Sequence, residues 1–305
     1  MSNNNGSMVA VFYALGGNAL IAAIKFTAAI LTSSAAMMAE SIHSAADTLN
    51  QVFLLIGNKR SQKEPTEAHP FGHERESFYW ALLVAGLLFV GGGIFSIYEG
   101  IHKIYNPEPI HNIYLIFVIL FVSIGIEAKS FSVAYKEFKK KSKESFFKGI
   151  KNSTDTNLIV VLLEDFAALA GLIVVVITTV LSLFNPIFDA FGSICVGLLL
   201  LSISHTLANE IRKLIVGESM PRESRAKIKG IIHQYDIVEH INGVKTMAIG
   251  NNKYLVVISV DIDDDATGYD IEDHFEQIKI DIFKELPEVK VITIDIQDPN
   301  KSTLM

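Results

Sequence analysis

Cysteine is all but missing from this 305-residue chain: Cys195 is the single thiol. That excludes an intrachain disulfide framework and any cysteine-rich metal site, and Cys195 itself reads as a small buried apolar residue. Charge is scarce as well, at 19% of residues, which is too little for an ordinary soluble domain of this size. No glycine-rich loop ends in Lys followed by Ser or Thr, so an ATP-driven pump has no engine here. There is no HExxH motif of a zinc protease, and no EF-hand loop for calcium. Residues Met1 to Met8 lack both a basic leader and a small-residue cleavage site, so the first apolar stretch is expected to stay as a span.

Apolar length fills the place of charge. Half of the residues are hydrophobic and the mean hydropathy is +0.36. About 20 mostly apolar residues cross a hydrocarbon core of about 30 Å, and stretches of that length fill the first two thirds of the chain. Helices are predicted at residues 8–32, 34–58, 77–102, 113–136, 155–182 and 187–213, the first two joined by a very short turn near Thr32 to Ser34. The last third differs. Residues 217–305 hold 17 Asp and Glu against 10 Lys and Arg, an excess equal to the chain's whole net charge of −7. The expected architecture is an all-α six-helix transmembrane bundle over residues 1–215 and a small soluble α+β domain over 216–305.

Basic residues collect in two loops, one with Lys59, Arg60, Lys63 and Arg75, the other running from Lys136 to Lys151, whereas the intervening loops contain only Lys103. By the positive-inside rule both basic loops face the cytoplasm, and an even number of spans puts both termini there. The expected location is a bacterial inner membrane, multi-pass, with the lipid bilayer as a partner and no nucleic acid.

The second span carries a polar stripe. Glu40, His43, Asp47 and Asn50 are spaced three, four and three apart, hence on one helical face. Ionisable groups at membrane depth are costly enough to mark function by default. The fifth span has Glu164 and Asp165, the first has Lys25, and the fourth has Glu127 and Lys129. Lys25 is expected to pair with a carboxylate of a neighbouring helix. Glu127 and Lys129, near a span end, are expected to snorkel or to pair with each other.

A divalent cation stripped of water needs several donors, some of them negative, and imidazole with carboxylate suits Zn, Mn, Fe(II) and Co. An i, i+4 His and Asp pair gives two donors pointing the same way. The same groups titrate, so metal and proton compete for one site, which is a physical basis for exchange.

The motif His43-Ser44-Ala45-Ala46-Asp47 with Thr48 to Gln51, the loop His69-Pro70-Phe71-Gly72-His73, six spans and a terminal Asp298-Pro299 together resemble the cation diffusion facilitator family of divalent metal/proton antiporters. The run Val160 to Asp165 is similar to the branch that includes the mitochondrial zinc transporter. The resemblance implies a four-ligand cage, two ligands from the second span and two from the fifth. His43, Asp47 and Asp165 match it. The fourth place falls on Val161, which cannot bind a metal. Glu164, given a rotated or irregular helix, Glu40 and water are the candidates to replace it. With one imidazole fewer, the donor set leans toward oxygen, so zinc comes first with manganese, iron and cobalt close behind.

The resemblance also implies a second site in the first cytosolic loop, matched by His69 and His73, with Thr66 where an aspartate would stand. In the C-terminal domain His274 and Asp298 match, but Asn242, Ile258 and Ile296 stand where histidines are frequent. Helical periods at 224–234 and 271–283 and strand patterns at 243–249, 254–262 and 292–296 give the order αββαβ, similar to the family's ferredoxin-like, metallochaperone-like domain that pairs subunits. Asp261 and Asp263 to Asp265 read as a solvated strand-end turn. The implied function is proton-coupled efflux of a divalent metal by a homodimer, with no permanently bound cofactor and no enzymatic activity. A non-transporting membrane assembly or regulatory protein, and an intramembrane metal-dependent hydrolase, are the alternatives.

Overall fold

The computed structural model describes residues 4–141, 145–153 and 155–298; Met1 to Asn3, Lys143 and Pro299 lie outside them. The chain divides into two units, one of Met1–Arg60, Glu76–Lys151 and Thr156–Arg212, the other of Ser61–Arg75, Asn152–Asp155 and Lys213–Met305.

The first unit is helical. Its elements are α1 (Asn4–Thr32), α2 (Ala35–Ser61), α3 (Glu76–Leu87), a π-helical segment (Leu88–Ile94), α4 (Phe95–Tyr105), α5 (Ile113–Lys141), α6 (Phe146–Asn152), α7 (Thr156–Ser182) and α8 (Ile187–Val216). Among the described residues five stretches are long and apolar enough to cross a bilayer: Leu15–Thr32, Glu76–Tyr105, Ile113–Lys140, Thr156–Ser182 and Ile187–Val216. α2 equals them in length at 27 residues and falls short in apolarity. The shortfall is its polar stripe, which is buried inside the bundle and not turned outward: Glu40 and Asn50 are fully buried and His43 nearly so. α2 is thus the sixth long helix of this unit, its polar stripe turned inward while Leu49 and Leu55 face outward. α7 is central, with buried residues from Thr156 to Ser182, and α5 packs along it. Outward faces carry large apolar side chains such as Leu20, Ile24, Phe89, Val90, Phe121, Val122, Ile173 and Leu198, a surface that lipid covers and water would not tolerate.

Cys195 corrects the sequence reading, since it is exposed on this outer face. In a membrane bundle an apolar residue gains nothing by facing inward, because lipid is as apolar as a core.

The turn from α1 to α2 is as short as expected, with Ser33 at a φ of 52°. The hairpin is antiparallel: Lys25 of α1 reaches Glu40 and Ser44 of α2. Ser34 Oγ accepts the Met37 N–H at 3.1 Å as an N-cap. A second cap comes from α8, where Asp189 accepts from Ser34 Oγ and the Ala35 N–H, each at 2.6 Å.

The second unit contains α9 (Arg222–Ile232), β1 (Val238–Gly250), β2 (Lys253–Ile262), α10 (Gly268–Glu285) and β3 (Val289–Ile296), the order αββαβ. The sheet order is β1-β2-β3, antiparallel then parallel. Tyr254, Val256, Ile258, Val260 and Ile262 alternate into its core, meeting Ile228, Ile232, Ile278 and Ile282 of the helices. Asp263 to Asp265 form the strand-end turn, with the Asp265 N–H on Asp263 Oδ1 at 2.9 Å. The loop Ser61–Arg75 belongs to this unit: Glu74 pairs with Lys253, and Arg75 donates to the Ala248 carbonyl at 3.5 Å.

Candidate metal centre

A cavity of about 100 Å³ lies among α1, α2, α5 and α7. Four carboxyl groups face it: Asp47 from α2, Glu127 from α5, and Glu164 and Asp165 from α7. Asn18, Ser44, Gln51 and Ser130 add neutral polar walls. Like charges crowded in a dry space repel strongly unless a cation or protons lie between them.

Three of the four carboxyls are met from another helix. Asn50 Nδ2 donates to Glu164 Oε1 at 3.1 Å, and Ser130 Oγ to Asp165 Oδ2 at 2.9 Å. The Asp47 and Glu164 carboxyls are within hydrogen-bonding reach of each other. His43 stands behind Asp47, with Nδ1 3.4 Å from Asp47 Oδ1. Both ring nitrogens of His43, and Asp47 Oδ1, are buried without a hydrogen-bond partner. Orphaned buried polar atoms cost about 1–3 kcal/mol each, so three at once on one helix face need a reason other than packing. An imidazole and carboxylate oxygens of this kind are the donors that a divalent cation takes.

The sequence candidates fall into place unevenly. Asp47, Glu164 and Asp165 share the cavity, and His43 touches it through Asp47. Among the described residues no three His, Cys, Asp or Glu side chains converge on one point closely enough to hold an ion together. Glu164 needs no rotation of its helix, contrary to the sequence reading. α7 is an unbroken α-helix, and Val161, Glu164 and Asp165, three and four residues apart, all face the cavity. Glu40 does not line the cavity. Its Oε2 lies 3.3 Å from Lys25 Nζ, which also donates to Ser44 Oγ at 2.8 Å, so Lys25 is paired as expected. Glu127 corrects the sequence reading: it lines the cavity, whereas Lys129 is exposed. Residues two apart on a helix point to opposite sides and cannot pair. Ser123, Glu127 and Ser130, spaced four and three, were the available signal for a second polar stripe. Ser130 was missed for the same reason.

His69 and His73 belong to the second unit, with ring centroids 4.4 Å apart. Thr66 and His69 exchange backbone hydrogen bonds at 3.1 and 3.0 Å, and Gly72, at a φ of 81°, brings the chain round so that the two imidazoles meet. Thr66 Oγ1 accepts the His69 N–H at 3.2 Å and so serves the turn. In the C-terminal domain, Asn242 is bonded to the Gln297 carbonyl, His274 Nδ1 lies 2.7 Å from the Asp270 carbonyl, and Ile258 is core.

Known proteins share much of this sequence. A proton-coupled zinc antiporter, SLC30A9, mitochondrial, of Xenopus laevis is 32% identical over 259 residues, 83% of this chain and 46% of that protein. Metal tolerance protein C4 of Arabidopsis thaliana is 31% identical over 264 residues, 85% of this chain and 58% of that protein. The manganese efflux system protein MneP of Bacillus subtilis is 25% identical over 287 residues, 93% of each chain. The chain thus spans about half the length of the first two relatives and nearly all of the third. The model of the cation efflux transmembrane domain matches residues 11–216, from α1 to the end of α8. The chain belongs to the cation efflux family.

Proposed function

We propose that this protein exports a divalent transition metal from the cytosol in exchange for protons, with zinc as first choice and manganese, iron and cobalt as further cargo. The observation that carries the reading is the His43 and Asp47 pair with its orphaned nitrogens and oxygen, Asp47 sharing one small cavity with Glu164 and Asp165 and the buried His43 standing behind it. We assign His43, Asp47, Glu164 and Asp165 as the groups that meet the cargo, Glu164 taking the place that Val161 leaves. One imidazole against three carboxylates is an oxygen-rich set, and one relative is named for zinc and another for manganese. Exchange follows from competition, since the carboxylates release a cation as protons take its place. The working form is a homodimer of a transmembrane domain, 1–215, paired through the C-terminal domain, 216–305, in a bacterial inner membrane with both termini cytoplasmic. His69 and His73 are a candidate second site on the cytosolic side. The hydrolase alternative falls with membership of a family of efflux transporters, and the protein is not an enzyme.

Reconstitution into proteoliposomes with an enclosed pH-sensitive dye tests this. Zinc, and to a lesser extent manganese, should drive proton movement, and Asp47→Ala and Asp165→Ala should each abolish it. Normal transport by either variant, or no proton movement with any of the four metals, would overturn the proposal; the second result favours the non-transporting alternative.

A further inference from the structure

We infer that Lys25 fixes the donor set of the metal site by holding Glu40 out of it, which makes Lys25 a selectivity-determining residue. The inference rests on the metal site proposed above and deepens it. Lys25 is the single charge of α1 and is 1% exposed. Burying an ammonium costs several kcal/mol, and a buried pair can be exchanged for apolar residues at little or no loss, so stability does not account for this pair. Its position does. Glu40 lies three residues before His43 on the same buried stripe, which makes the two side chains neighbours on the helix surface. A free Glu40 carboxylate could then reach a cation held by His43. Lys25 Nζ takes Glu40 Oε2 at 3.3 Å and Ser44 Oγ at 2.8 Å. Ser44 lines the cavity and Glu40 does not, so the ammonium ties that carboxylate to the back of the cavity wall and away from its lining. The other oxygen, Glu40 Oε1, is buried without a hydrogen-bond partner and is turned to Gly171 of α7, where an added Cβ would come within 2.9 Å of it. Glu40 is boxed in on both sides, one oxygen still uncommitted.

Releasing it changes which metal is preferred. A further carboxylate oxygen favours an ion that accepts more oxygen ligands, so manganese should gain on zinc. The test is equilibrium binding of Zn²⁺ and of Mn²⁺, each alone, to the detergent-purified full chain, read as the ratio of the two dissociation constants. Lys25→Met should shift that ratio toward manganese by about tenfold, the scale on which groups behind the ligands act. Lys25→Arg, which keeps the charge, should restore it, and so should Lys25→Met/Glu40→Gln, where no carboxylate remains to be freed. Glu40→Gln alone should weaken both divalent ions together, through the unneutralised ammonium, and leave their ratio within about twofold. A ratio unchanged in Lys25→Met, with thermal unfolding lowered, would mean a purely structural pair and overturn the inference. A ratio changed by Glu40→Gln alone would mean that Glu40 is already a ligand, and would overturn it too. Asp47→Ala is measured alongside: if it binds both metals as the wild type does, the proposed site itself has failed and this inference with it. If Asp47→Ala loses binding and Lys25→Met keeps the wild-type ratio, only the inference has.

Discussion

Asn50 and Ser130 are not among the groups proposed to meet the cargo, yet each fixes a carboxylate that is. Asn50 reaches Glu164 from α2, and Ser130 reaches Asp165 from α5, so both α7 carboxylates are oriented by other helices. Groups behind a metal ligand change affinity by about 10–100-fold when removed, because a ligand left to rotate loses its aim. Asn50→Ala should therefore raise the metal concentration for half-maximal transport by about tenfold with a near-normal maximal rate, measured as initial rates in proteoliposomes. A lowered maximal rate with unchanged half-saturation would show that Asn50 acts on the moving step instead. Asn50 was visible in the sequence, as the last member of a four-residue stripe in an otherwise apolar helix. Ser130 was harder to read, because it belongs to the weaker stripe of Ser123, Glu127 and Ser130 and a serine in a span is ordinary until its partner is known.

Helix boundaries followed composition where local chemistry decides them and departed from it where a neighbour does. α10 begins at a capping box that the sequence encodes, with Asp270 N–H donating to Thr267 Oγ1 at 3.3 Å and the Thr267 N–H to Asp270 Oδ2 at 3.1 Å. α2 begins instead where Asp189, 155 residues from Ser34 in sequence, reaches over to cap it, and Lys103 of α4 is bonded to the Ser33 carbonyl. The third span, predicted as one helix, runs continuously over Glu76–Tyr105 and takes up a π-helical segment, Leu88–Ile94, between α3 and α4. Gly91, Gly92 and Gly93 lie in that segment, and an added Cβ on Gly197 of α8 would come within 2.8 Å of the Gly93 carbonyl. Such close approach of two backbones is available only without side chains. In the soluble domain, Tyr235, just after α9, donates to Asp281 of α10 at 2.7 Å. Burial, this hydrogen bond and the Asp281 charge push its phenol up to about 12. A raised value means that the neutral phenol stabilises the fold fully below its ordinary value of about 10, and that this contribution is lost as pH rises through about 12. Phenolate absorbance of the wild type minus that of Tyr235→Phe should show one tyrosine titrating near 12; a component near 10 would show that the tether is not formed.

For the whole molecule, orientation is the property that sequence addresses most directly and that a test can reach cleanly. Removing Cys195 leaves a chain without thiols, since it is the one cysteine. On a Cys195→Ser background, Glu67→Cys in the first basic loop should react with an impermeant thiol reagent only from the cytoplasmic side, and Asn185→Cys, between α7 and α8, only from the opposite side. Labelling of both from one side would refute the six-span topology. Six helices, an acidic αββαβ domain and the His43 to Asn50 stripe were legible because each rests on local order: span length, a period of two or of 3.6, and the high cost of charge in lipid. The sequence by itself determined that a polar stripe would be buried at membrane depth. Only the tertiary structure decided what the stripe faces. It turned Glu127 into the cavity, brought Glu164 to Asp47 on an unbroken helix, and gave Glu40 to Lys25. Those outcomes depend on which helices pack against α2 and at what depth. Spacing along one helix fixes the direction a side chain points, and it holds no information about the charge that waits there.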